Sequence, residues 1–146
     1  MARIEQSGLQ QGPGPLREGR VSLTSAQLLA LRTTRATAIE LAPACGGEQA
    51  HIVESVLVHH RAAASSPVAY SGGHLRVAYD GGSGTPTEIA TATGAVAQAI
   101  NYLSRVAVGS ARALPGASLV LTVSAQLTAG NGGADVIVTY RTANLF

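Results

Sequence analysis

The chain has 146 residues, a length suited to one domain around one core, and 46% of them are apolar. Only 12% are charged, against roughly 25% in an average soluble domain, so much of the surface is expected to be covered by other chains. Every basic residue is arginine, which excludes a P-loop, Schiff-base chemistry and a lysine general base.

Residues 1–20 stand apart from the rest. "QSGLQQGPGPLREGR" at 6–20 has few apolar anchors; Pro13 and Pro15 favour extended backbone, and the glycines deny a helix. Composition admits two readings, a disordered tail or an arm that orders along a neighbouring subunit. On the second reading the candidate contact residues are Arg3, Leu9, Leu16, Arg17 and Arg20, and the folded domain is 21–146.

From Arg20, "RVSL" reads as a short strand. "SAQLLALR" then predicts a turn or two of helix, with Ser25 as N-cap and leucines at 28, 29 and 31. "RATAIELA" at 35–42 alternates with Thr37, Ile39 and Leu41 on one face, and "PACGG" ends that strand. "HIVESVLVHHRA" at 51–62 places Ile52, Val56 and Val58 on one face and Val53 and Leu57 on the other. Both faces are apolar in part, which predicts a strand covered on both sides.

"VAYSGGHLRVAYD" at 68–80 reads as a hairpin turning at Gly72 and Gly73, with Leu75, Val77 and Tyr79 inward. "DGGSGTP" at 80–86 is a loop and "TEIATAT" a short strand. In "TGAVAQAINYLSR", Val96, Ile100 and Leu103 have amphipathic helical spacing, with a strand near "NYLSRVAV" as the rival. After the turn "ALPGAS", "SLVLTVSAQLTAGNGGADVIVTY" at 118–140 alternates on both sides of a glycine-rich break and predicts a closing hairpin. Seven or eight short strands with turns between them indicate an all-β sandwich; a jelly roll is the first choice, with one or two short helices in the connections.

The chain lacks a convergent chemical signature. Among His51, His59, His60 and His74, the adjacent pair faces opposite sides of one strand. His51 and His59 lie on the order of 26 Å apart along it, so no metal site is expected. Glu54 is the one carboxylate that reads as buried, with Arg61 or Arg35 as its structural partner. Ser83 in "GGSGT" does not satisfy G-x-S-x-G, and Gly81, Gly82 and Gly84 lack the strand-then-helix context of a phosphate cradle. Cys45 has no second cysteine to pair with and no histidine near it in sequence, and reads as an inert buried or half-buried thiol. Scattered arginines and 3% aromatics leave no nucleic-acid footprint. No apolar run reaches the roughly 18 residues of a membrane helix, and the N-terminus lacks a signal-peptide core. Neither enzymatic activity nor a cofactor is expected.

Four stretches carry a resemblance: "VSLTSAQLLAL" at 21–31, "ELAPACGGEQAHIVESVLVHH" at 40–60, "VAYSGGHLRVAYDGG" at 68–82, and the C-terminal alternating pair. In these the chain resembles small all-β, jelly-roll-type cement and decoration proteins of tailed bacteriophages. The resemblance implies a virion structural protein made in the host cytoplasm and placed on the capsid surface. It implies the major capsid protein and copies of itself, most simply a homotrimer, as partners. The alternatives are a tail, neck or head-fibre part, or a carbohydrate-binding jelly-roll module, which would present exposed aromatics to sugar rings.

Overall fold

Two four-stranded antiparallel sheets face each other in the computed structural model, which describes residues 14–109 and 113–145. The strands are β1 (Arg17–Leu23), β2 (Ile39–Ala42), β3 (Gln49–Arg61), β4 (Leu75–Asp80), β5 (Thr87–Ala92), β6 (Tyr102–Val106), β7 (Ser118–Val123) and β8 (Gly133–Asn144). One sheet runs β1-β8-β3-β6 and the other β2-β7-β4-β5. The pairs β1/β8, β2/β7, β3/β6 and β4/β5 are those of one long hairpin folded over on itself, so the sandwich has jelly-roll order.

The core follows from strand alternation. Val56, Val58, Val136 and Val138 line the inner face of the first sheet; Leu75, Val77, Leu119, Leu121 and Val123 line the other, all at 2% exposure or less. A leucine or valine buried this fully contributes about 1.5–3 kcal/mol, so the inward rows are what hold the layers together. Helix α1 (Ser25–Ala30) plugs one end with Leu28. Its cap is Thr24 rather than Ser25: the Gln27 backbone N–H donates to Thr24 Oγ1 at 3.3 Å, and the Thr24 N–H donates to Gln27 Oε1 at 2.8 Å.

Several predicted elements differ. Strand β1 starts at Arg17, inside the stretch read as arm, because its backbone pairs with β8 from Arg17↔Tyr140 onward and a ladder needs no apolar side chain. Of 35–42 only the last part is strand; Arg35–Thr37 forms one 3₁₀ turn. The glycines at 72 and 73 do not turn a hairpin. Ser71 bridges to Thr128, and Gly73 lies so close to the Ala125 carbonyl that a Cβ there would overlap it. The predicted helix at 93–105 is absent: the chain turns at Gly94 with φ +73°, and the rival strand forms as β6. Its helical spacing was misleading because Ile100 and Leu103 are exposed and no core selects that period. The closing hairpin is also overturned. β7 and β8 are both strands, but they lie in opposite sheets, joined by a segment that crosses the end of the sandwich.

A bulge in β3 corrects the reading of its faces. Val53 pairs with Tyr140 and Ser55 with Thr139, which leaves Glu54 as the extra residue. The faces therefore exchange at Glu54: Val53 points inward before it, Val56 and Val58 after it, and Ile52 points outward at 37% exposure. The strand is not covered on both sides, since its outer face is open within the chain.

Candidate interaction surface

Strand register builds the outer face of the β1-β8-β3-β6 sheet row by row. One row runs Leu103–His59–Asp135–Ser22, and the next Arg105–Leu57–Ile137–Arg20. Across the bulge, Ile52 pairs with Arg141. Leu57 and Ile137 sit half-buried at the centre, while Leu103 at 64% exposure and Ile52 lie outside them. Around them stand Arg20, Arg61, Arg105 and Arg141. An apolar centre inside an arginine-rich polar rim is the composition of a protein–protein contact.

Most of the rim is internally paired. Arg20 Nη2 lies 3.2 Å from Glu18 Oε2, and Arg141 Nε lies 3.6 Å from Glu54 Oε2. Glu54 is thus exposed and paired with Arg141, not buried against Arg61 or Arg35, because the bulge turns it outward. Asp135 gathers three donors: Ser22 Oγ at 2.7 Å, His59 Nδ1 at 3.3 Å and Arg61 Nε at 3.2 Å. Burial pushes the Asp135 carboxyl upward. The hydrogen bonds from Ser22, His59 and Arg61, with the Arg61 charge, outweigh it and hold the group below its ordinary range. Ser22, Asp135 and His59 do not form a hydrolytic triad, because Asp135 stands between serine and histidine and leaves the serine without a base.

The other histidines are structural. His51 is buried; its Nε2–H donates to the Pro43 carbonyl at 2.7 Å, its Nδ1 lies 2.9 Å from Thr142 Oγ1, and its ring meets Tyr140 edge-on. His74 Nδ1 accepts from the Gly94 N–H at 3.2 Å. His60 is 1% exposed with no hydrogen-bond partner at either ring nitrogen, and Tyr70 lies edge-on to it. Burial lowers its pKa, reinforced by the charges of His59 and Arg61. Cys45 is half-buried, its thiol directed at the Gln49 and Ala117 carbonyls. No group of three metal-ligating side chains occurs among the described residues. Nor is any described helix long and apolar enough to cross a membrane.

Of the predicted contact residues, Arg3 and Leu9 lie outside the described residues. Leu16 is 52% exposed just ahead of β1. Arg17 borders a groove of about 310 Å³ with Gly14, His51 and Tyr140, away from the apolar centre. Arg20 alone stands in the outward rows. Leu57, Ile137 and Leu103, which line the face, were missed as site residues; for Leu57 the signal was the second apolar face of "HIVESVLVHH". Tyr70, Tyr79 and Tyr140 are buried, so among the described residues only Tyr102 is an exposed aromatic and no sugar-stacking platform forms.

No family model matches the chain, and no curated protein matches it. Among solved structures it is similar to a chain of the cyanophage Pam1 capsid asymmetric unit. The identity is 20% over 89% of this chain and 86% of that chain, with a TM-score of 0.48.

Proposed function

We propose that this chain is a structural part of a phage virion, a cement or decoration protein that binds the major capsid protein on the outside of the shell and associates with copies of itself, most simply as a trimer. The outer face of the β1-β8-β3-β6 sheet carries this reading, with Leu57 and Ile137 half-buried inside a ring of arginines. Leaving such a face open costs hydrophobic free energy of roughly 25 cal/mol per Å², which a partner recovers by covering it. The sandwich supplies a stiff platform, and repetition around a shell multiplies a weak contact through avidity.

The N-terminal segment supplies a second attachment. The Gly14 N–H donates to the Thr142 carbonyl at 2.9 Å and Arg141 Nη1 donates to the Gly14 carbonyl at 3.1 Å, which fixes where that segment leaves the sheet. Contacts by Arg3, Leu9 and Leu16 would start from that end.

Co-sedimentation with shells stripped of this protein tests the reading. The full chain should pellet with shells, a chain lacking residues 1–13 should pellet less, and Ile137→Arg should stay largely in the supernatant. A full chain that never pellets would overturn the proposal. Labelling confined to one vertex of the particle would move the protein to a tail or neck.

A further inference from the structure

Each sheet of an open sandwich has two edges, and an unprotected edge is adhesive. Three of the four are blunted here. At Gly19, β1 is pressed so closely on β2 that a Cβ would overlap the Leu41 carbonyl oxygen. β2 is four residues long and bulged at Leu41. β5 is bulged at Ile89, whose carbonyl already accepts the Gly109 N–H at 2.9 Å. β6 differs: its pairing with β3 is free of register shifts, it contains no proline, and Arg105 is its single charge. Exposed apolar residues also collect there, with Ile100 at 61%, Tyr102 at 43% and Leu103 at 64%. A groove of about 490 Å³ runs along its side, lined in part by Thr91, Gln98 and Tyr102.

We propose that β6 pairs antiparallel with β6 of a second copy across a two-fold axis at Ser104, joining the two β1-β8-β3-β6 sheets into one. The strand's own register selects this occupant. Side chains alternate, so a two-fold normal to the sheet keeps outward residues opposite outward residues only when it passes through a residue. An axis at Arg105 sets that charge against its own copy. An axis at Leu103 leaves Arg105 and Val106 beyond the partner's strand. An axis at Ser104 pairs every residue of β6: Tyr102 with Val106 on the inward face, Leu103 with Arg105 on the outward face, and the small serine at the centre. The contact is isologous and closed, so it buries the unblunted edge of both copies and leaves none to propagate. Being two-fold, it joins single copies, or trimers whose three-fold axis it crosses at right angles, in pairs and so doubles the mass.

The test is native mass by analytical ultracentrifugation from micromolar to millimolar protein, with circular dichroism to confirm folding. Leu103→Arg places arginine opposite Arg105 and should halve the mass. Leu103→Glu places a carboxylate there and should keep the wild-type mass. Leu103→Arg combined with Arg105→Glu should restore it. Equal mass for wild type and folded Leu103→Arg would overturn the pairing, as would halving by Leu103→Glu. The two proposals fail separately: an unpaired chain that still pellets with shells sinks only this one, and a paired chain that never pellets sinks only shell binding.

Discussion

The two sheets present opposite outer faces although the same alternation builds both. In β2-β7-β4-β5 the outward row is Glu40–Val120–Ala78–Glu88, and the next holds Thr122, Arg76 and Thr91. Its centre is made of small residues, and Val120, Ala78 and Thr122 are at most 4% exposed. Arg76 is drawn in to donate to the Val123 carbonyl at 3.0 Å, and Arg35 reaches Asp80 at 3.0 Å. In β1-β8-β3-β6 the matching positions hold Leu57 and Ile137, larger and left partly in water. One face is closed by its own chain; the other, the face proposed for contact, is left open within it.

The largest test of that contrast is Val120→Arg, which forces an unpaired charge into the closed face. It should cost about 3 kcal/mol or more, read as a drop in urea midpoint. Next, Gly19→Ala drives a methyl group into the Leu41 carbonyl and spreads the β1/β2 seam, at about 1–3 kcal/mol by the same denaturation curve. Smallest in stability is Ile137→Arg on the open face, within about 0.5 kcal/mol of wild type. Its effect belongs in shell binding, weakened on the order of tenfold. If Val120→Arg and Ile137→Arg cost the same, the contrast between the faces is wrong.

Acid separates the two sheets more finely. His60 folds with its pKa below the ordinary 6.5, so the unfolded chain takes up that proton first. The stability that depends on neutral His60 is full above 6.5 and is lost as pH falls from there through the lower folded value. Asp80 is held below its ordinary 3.8 by the Arg35 hydrogen bond and then the Gly82 N–H, so its contribution persists above 3.8 and is lost only as pH falls through its folded value. Thermal midpoints from about pH 8 to about pH 5 should therefore fall for wild type and fall less for His60→Leu. Asp80→Asn should leave the slope over that range unchanged.

Strand existence was largely legible, because period-two apolar patterning marks "LRVAY", "SLVLTV" and "DVIVTY" whatever they pair with. Pairing was not. A nine-residue break that reads as a hairpin loop instead carries the chain from one sheet to the other, and Thr128 bonds to Ser71 on the way. The Glu54 bulge was equally hidden, since nothing in "VES" distinguishes an extra residue from a paired one until Thr139 and Tyr140 lie alongside.

By itself the sequence determined a β chain with one apolar core and without lysine chemistry, because alternation and residue type are local properties. Tertiary structure decided which strands share a sheet, which apolar face stays open and which edge is left unblunted. Each of those depends on hydrogen-bond partners far along the chain, and alternation is silent about them.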